Sequence, residues 1–251
     1  MSVISNNQLA GAAGQGGSTA YEIQRSLRFN SGDSSRLTRT LSANVTTFTM
    51  SFWFKYVDST RNDIYVTNSS YGHFFYQHTD GSFRLNNNTA NLFISNGVYR
   101  DPSAWYHIVV TNDGSNFKLY VNGVLDKNQS TGTYLNSGNF YIGNDGSSTY
   151  ANCYLADVHF IDGQALAPTD FGEFDDNNVW QPKEFTGTHG TNGFHLDFSD
   201  NSSAAALGTD SSGNSNTWTV NNLIATAVNY TSISTLAALS GSSLDSSYND
   251  V

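Results

Sequence analysis

Tyr154-Leu-Ala-Asp-Val-His-Phe-Ile-Asp-Gly-Gln-Ala-Leu-Ala-Pro-Thr-Asp-Phe171 is the stretch whose reading decides the fold. Tyr154, Ala156, Val158 and Phe160 alternate with Leu155, Asp157, His159 and Ile161, and period two is the signature of a strand. Asp162-Gly163 closes it as a tight turn. Pro168 then fixes φ, and Thr169 or Asp170 is placed to cap one short helical turn near residues 168–172.

Strand signals continue upstream. Phe48, Met50, Phe52, Phe54 and Tyr56 alternate with Thr49, Ser51 and Lys55, the longest strict period-two run in the chain, with Trp53 on the mostly polar face. There Trp53 either packs under a neighbouring loop or lines a ligand surface. Trp105–Thr111 and Asn116–Val121 flank a four-residue turn, and Phe74–His78 and Ser82–Leu85 flank Asp80-Gly81. Asn122-Gly123 reads as a type I′ turn leading into a return strand at Val124-Leu125. Phe140–Gly143 is a further short strand, Gly193–Phe198 alternates again, and Trp218–Val220 reads as the last strand. Residues 174–183 look loose. Phe52, Ile108, Leu119 and Val158 are expected to point into one core.

Composition supports an all-β chain. Of 251 residues, 14% are aromatic and only 13% charged, against the ~25% charged residues usual in soluble domains. Ser, Thr, Asn and Gly make up the difference and favour turns. A net charge of −10 with no Lys/Arg cluster disfavours a nucleic-acid partner. Cys153 stands alone, which excludes an intrachain disulfide and reads as a small buried strand residue. No apolar run reaches the length of a spanning helix, so membrane insertion is not expected, and no signal peptide is visible.

Chemistry is sparse. The glutamates are Glu22, Glu173 and Glu184, and no Glu-X-Asp-X-Glu series places two carboxylates on one strand face as a glycosidase needs. The histidines are scattered, and His107 and His159 read as ordinary packed or surface residues. No catalytic, cofactor-binding or metal-ligating residue is assigned, and no enzymatic activity is expected. Calcium is the one cofactor with candidate loops, Asn112-Asp113-Gly114 and Asn144-Asp145-Gly146, although hairpin turns demand the same residues. Tyr71, His73, Tyr99 and Tyr150 fall in loop-like stretches where rings could stack on sugars.

Several blocks carry a resemblance. Leu27-Arg28-Phe29-Asn30 with Ser35-Arg36-Leu37, Phe48–Phe54, the hairpin Trp105-Tyr-His-Ile-Val-Val with Phe117-Lys-Leu-Tyr-Val-Asn-Gly-Val124, and the stretch from Tyr154 to Phe171 resemble laminin-G-like, concanavalin A-like lectin domains. The resemblance covers about residues 25–172 and implies a two-sheet antiparallel β-sandwich of jelly-roll type. A segment like Leu196–Asp200 with Asp210–Trp218 commonly opens such domains, whereas here it follows the helical turn. Residues 192–222 are therefore expected to complete the sandwich as permuted strands, giving a domain over 25–222 between a flexible arm (1–24) and a C-terminal tail or arm (223–251). The wider arrangement, Ser26–Thr40, Ala156–Asp175, Trp180–Ser202 and Leu207–Asn222, resembles virion structural proteins of tailed marine bacteriophages. That implies a non-enzymatic component of the virion surface, a capsid decoration or fibre, made in the host cytoplasm and contacting copies of itself and other virion proteins. The alternative is a glycan- or receptor-binding tail protein with a host surface glycan as partner.

Overall fold

The computed structural model describes residues 21–67, 74–87, 90–130 and 135–233. Its strands in chain order are β1 (Ile23–Phe29), β2 (Arg36–Leu41), β3 (Thr47–Tyr56), β4 (Asn62–Thr67), β5 (Phe74–Gln77), β6 (Phe83–Asn86), β7 (Asn91–Ile94), β8 (Trp105–Asp113) and β9 (Asn116–Val121). They continue with β10 (Val124–Ser130), β11 (Gly138–Ile142), β12 (Cys153–Asp162), β13 (Gly172–Phe174), β14 (Trp180–Pro182), β15 (Phe194–Leu196), β16 (Thr219–Asn221) and β17 (Val228–Ile233). One antiparallel sheet, sheet A, runs β10-β9-β8-β3-β12-β1-β17, with β15 paired to β12. The other, sheet B, runs β16-β2-β11-β4-β5-β6-β7. The early strands β1 and β2 thus lie in opposite sheets.

The expected inward rows meet between the sheets. Phe52, Ile108, Leu119 and Val158 are all buried in one cluster with Phe48, Phe54, Phe75, Phe140 and Phe160. Cys153 is buried there as well. Phe140 is ringed by Tyr65, Phe160, Phe194 and Trp218 at centroid distances of 6.0, 5.7, 6.1 and 5.2 Å, mostly edge to face. Two of those rings belong to the segment after the helical turn. β15 pairs with β12 and β16 with β2.

The structure departs from several expectations drawn from the sequence. β1 begins at Ile23 and pairs with β17, so residues 23–24 and 228–233, expected in the arms, lie in sheet A. Trp218–Val220 is consequently not the last strand. Residues 1–20 and 234–251 lie outside the described residues. The loose region 174–183 contains a hairpin, β13 with β14. The short turn at Pro168–Asp170 is 3-10, its N-cap is Ala167, and Asp170 accepts the Ala167 amide at 3.0 Å, while Thr169 plays no capping part. Further 3-10 turns lie at Ser31–Asp33, Ala205–Gly208 and Ala225–Ala227.

The largest departure lies in the deciding stretch itself. Cys153 and Leu155 face the core, yet so do Val158 and Phe160. The phase shifts by one residue because pairing between β12 and β3 breaks between Ala156 and His159. Asp157 sits there at φ 49, a left-handed conformation rare for a non-glycine residue within a strand. This is a β-bulge, and it turns both Ala156 and Asp157 to the outer side of sheet A.

Segments 163–191 cover that outer side. Trp53 is buried there with Ile23, Ala156, Trp180 and Ile233. Val109 and Ile161 pack with Phe171, beside Phe185 and Leu166. Trp53 therefore takes the packing alternative. Trp180 lies over the Asn122-Gly123 turn, whose φ values of 48 and 78 are the type I′ pattern. A Cβ on Gly123 would stand 2.3 Å from the Trp180 ring. Gly123→Ala is expected to cost about 2 kcal/mol from left-handed strain and overpacking together, read as a lower denaturation midpoint. A neutral result would show that Trp180 does not rest on this turn.

Candidate functional site

Two surfaces bring chemistry together, one on the outer side of each sheet. On sheet A the bulge aims Asp157 at two histidines. His159 of β12 and His195 of β15 are direct cross-strand partners, and such pairs share a face. Their rings stack at 3.9 Å and 12°. Asp157 Oδ1 lies 2.7 Å from His195 Nε2 and 3.3 Å from His159 Nε2. The Tyr21 hydroxyl donates to the same oxygen at 2.9 Å. On its other edge, His159 Nδ1 lies 3.1 Å from His189 Nε2. Phe171 and Phe185 close over the rings at 5.5 and 5.9 Å from His159.

Burial alone would raise the Asp157 carboxyl, but the two imidazoles hold it well below the usual range. Burial lowers His159 and takes His189 down to about 4. For His195 burial pulls downward too, but the hydrogen bond and charge of Asp157 outweigh it and raise its pKa. Of the three imidazoles, His195 is the one whose surroundings favour the charged form. A neutral His159 with its proton on Nε2 donates to Asp157 and leaves Nδ1 to accept from His189 Nε2–H, which satisfies every contact.

Next to this cluster, Ser51 pairs with His159 across the sheet, and Ser51 Oγ lies 2.8 Å from His107 Nε2. Trp180 Nε1–H donates to His107 Nδ1 at 3.0 Å. Trp53 stacks on the same imidazole at 4.9 Å. A Trp indole only donates, so His107 Nδ1 is the acceptor and its proton sits on Nε2.

Sheet B presents a different outer face. Phe140 and Ile142 point to the core, so Tyr141 between them points out. Thr38, Tyr141 and Val66 are successive cross-strand neighbours, as are Asp63, Tyr76 and Arg84. Val66, Tyr76 and Tyr141 pack together. Arg61 lies 4.0 Å over the Tyr76 ring and 2.7 Å from Asp63. Burial raises the Asp63 carboxyl to about 6 despite Arg61. Asn86 and Tyr76 both donate to Asn91 Oδ1, at 3.3 and 3.4 Å. At the other end Arg36 donates to the Tyr150 hydroxyl at 3.2 Å. On this face Val66, Asp63 and Tyr76 are buried, and Thr38, Tyr141 and Arg84 are half-buried.

The candidate rings and loops named from the sequence do not converge on one place. Tyr150 reaches the sheet B face through Arg36. Tyr99 does not: its hydroxyl donates to Asp126 Oδ2 at 2.7 Å and its ring meets Tyr106 edge-on at 5.4 Å. Tyr71 and His73 lie outside the described residues. In the two calcium candidates the side chains serve their own turns: Asn112 accepts the Gly114 amide, Asp113 those of Ser115 and Asn116, Asn144 that of Gly146, and Asp145 those of Ser147 and Thr149. Asp175, Asp200 and Asp210 do likewise. Asp175 and Asp176 lie in the turn between β13 and β14. The clustering of His159, His189 and His195 was not visible as a motif; the only signal was their shared position in alternating or adjacent stretches.

A family model described as the concanavalin A-like lectin/glucanases superfamily matches residues 29–170. No curated protein matches the sequence. The fold is similar to that of a "putative carbohydrate binding protein" from Bacteroides ovatus ATCC 8483, with a TM-score of 0.61 and 14% identity over 84% of this chain. This chain spans 60% of that protein's length. A native heptameric SAP-like pentraxin from Limulus polyphemus matches with a TM-score of 0.47 and 20% identity over 58% of this chain and 78% of its own.

Proposed function

The chain belongs to the concanavalin A-like lectin/glucanases superfamily, and from that premise we propose that it is a non-catalytic binding domain whose ligand is carbohydrate, taken on the outer face of sheet B. The observation that carries this reading is the row Thr38–Tyr141–Val66 beside Asp63–Tyr76–Arg84, in which Thr38, Tyr141 and Arg84 are half-buried over the buried Val66, Asp63 and Tyr76. The half-buried Tyr141 ring supplies an apolar face for sugar C–H groups, and Arg84 and neighbouring amides supply hydrogen bonds fixed by a rigid sheet. Binding without turnover fits the carboxylates, since Asp113, Asp145, Asp175 and Asp210 are engaged by their own turns' amides. The likeness to the Bacteroides protein supports the fold on which such a site is built.

A glycan array probed with the purified chain tests the proposal. Tyr141→Ala is expected to weaken the bound glycan at least tenfold, a loss of about 1.4 kcal/mol, with an unchanged circular dichroism spectrum. Absence of any glycan binding, or binding indifferent to Tyr141 and Arg84, overturns it.

A second reading concerns the setting. The blocks Ser26–Thr40, Ala156–Asp175, Trp180–Ser202 and Leu207–Asn222 resemble phage virion proteins, which supports display on a particle as a decoration or fibre, with copies of the chain and other virion proteins as neighbours. Electron microscopy of particles labelled against the chain tests it: label on the particle surface supports this setting, and unlabelled particles end it.

A further inference from the structure

The cluster under Phe171 and Phe185 has no part in carbohydrate recognition on the opposite sheet. It is also an odd thing to bury. A carboxylate and two imidazoles out of water, with the half-buried His195 beside them, carry a desolvation cost that apolar residues of similar volume would avoid. The chain additionally holds Asp157 in a left-handed conformation inside a strand to bring its carboxylate to this place, and such strain gathers where a site needs it.

We propose that Asp157, His159 and His195 form a binding site for a divalent transition-metal ion of the zinc class. One donor atom from each side chain lies within 4.8 Å of the other two, and among the described residues no other trio of such side chains converges in this way. Two imidazole nitrogens and one carboxylate oxygen are the donor set that zinc accepts, with a fourth position left over. Because the two rings now stack at 12°, seating the ion turns one imidazole out of the stack so that both Nε2 lone pairs converge. The Tyr21 hydroxyl, 2.9 Å from Asp157 Oδ1, stands where it can hold that position or a water in it. His189 bonds the far nitrogen of His159, the outer-shell contact that sets a ligating imidazole's tautomer and orientation.

The metal takes the place of the Nε2 protons of His159 and His195. The His159 proton moves to Nδ1, now donating to His189 Nε2, and His189 carries its own proton on Nδ1. The Nε2 proton of His195 leaves to Nδ1 or to solvent. Binding therefore competes with protons at both imidazoles and weakens as pH falls. The arrangement differs from the calcium loops considered from sequence, since calcium takes oxygen ligands and six or more of them.

The test uses the full chain, stripped with a chelator and titrated separately with zinc chloride and cobalt chloride. The expected result is one equivalent bound, held more weakly at lower pH, visible cobalt bands of a four-coordinate site, and movement of the His159 and His195 ring signals in nitrogen-detected NMR while His78 stays still. Asp157→Asn and His195→Gln, each checked for native circular dichroism, are expected to weaken binding at least tenfold, with His78→Gln unchanged. Should both buried variants unfold, the ring signals of the unmodified chain decide alone. Affinity weaker than about 1 mM, or binding that leaves the His159 and His195 signals in place, overturns the proposal.

Discussion

Between pH 7 and pH 4 the folded chain is expected to lose about 3 kcal/mol of stability through His107 alone. Burial takes this imidazole from an ordinary 6.5 down to about 3, with Asp157 opposing and His159 adding to the effect. The hydrogen bonds give the reason in structural terms. Nε2–H is spent on Ser51 and the Nδ1 lone pair on the Trp180 indole, so a second proton has no position without breaking the Trp180 bond. The sign follows from proton counts. Below pH 6.5 the unfolded chain binds a proton that the folded chain refuses, so stability falls as pH falls, by about 1.4 kcal/mol per unit down to pH 3. Asp63 acts oppositely, because its raised folded pKa removes stability as pH rises from about 4 to 6. Comparison with His107→Gln isolates the effect: Gln offers a donor and an acceptor but does not titrate. Urea midpoints of the two proteins at pH 7, 5.5 and 4.5 should diverge as pH falls. Parallel pH profiles would show that His107 takes up a proton in the folded state.

Phe140→Ala is expected to cost about 3–5 kcal/mol, the range for emptying a large aromatic site in a packed core. Phe140 is fully buried, and its four aromatic neighbours come from β4, from β12, from β15 and from the residue preceding β16. The cavity is thus walled by groups fixed in both sheets, which limits its collapse. The same variant tests how the C-terminal strands are joined to the rest. If β15 and β16 share one cooperative core with residues 25–172, tryptophan fluorescence and far-ultraviolet circular dichroism of the variant shift together in one transition. Two separated transitions, with Trp218 reporting the unshifted one, would show that residues 192–222 fold as an independent unit.

What the sequence alone determined was local. β3 and the β8–β9–β10 meander were legible because alternation and the Asn122-Gly123 turn involve neighbours in the chain, and the core row of Phe52, Ile108, Leu119 and Val158 followed from that alternation. The short turn after Pro168 was legible from proline's fixed φ. The tertiary structure decided the rest. Period-two counting put Leu155 and Phe160 on opposite faces of β12, whereas the bulge at Asp157 turns both to the core. A bulge costs little locally and is chosen by what the strand must pair with on each side, so nothing in the stretch announces it. The pairing of β17 with β1 and the β13–β14 cover are not legible in the sequence, because short strands at the chain's edges and in polar loops have no periodicity to count. The histidines read as scattered because His159 lies 30 residues before His189, and only the register of β15 against β12 brings His195 onto its ring. Distances along the chain fix which residues can form strands; which side chains meet across a sheet depends on register, and register is settled by the whole core at once.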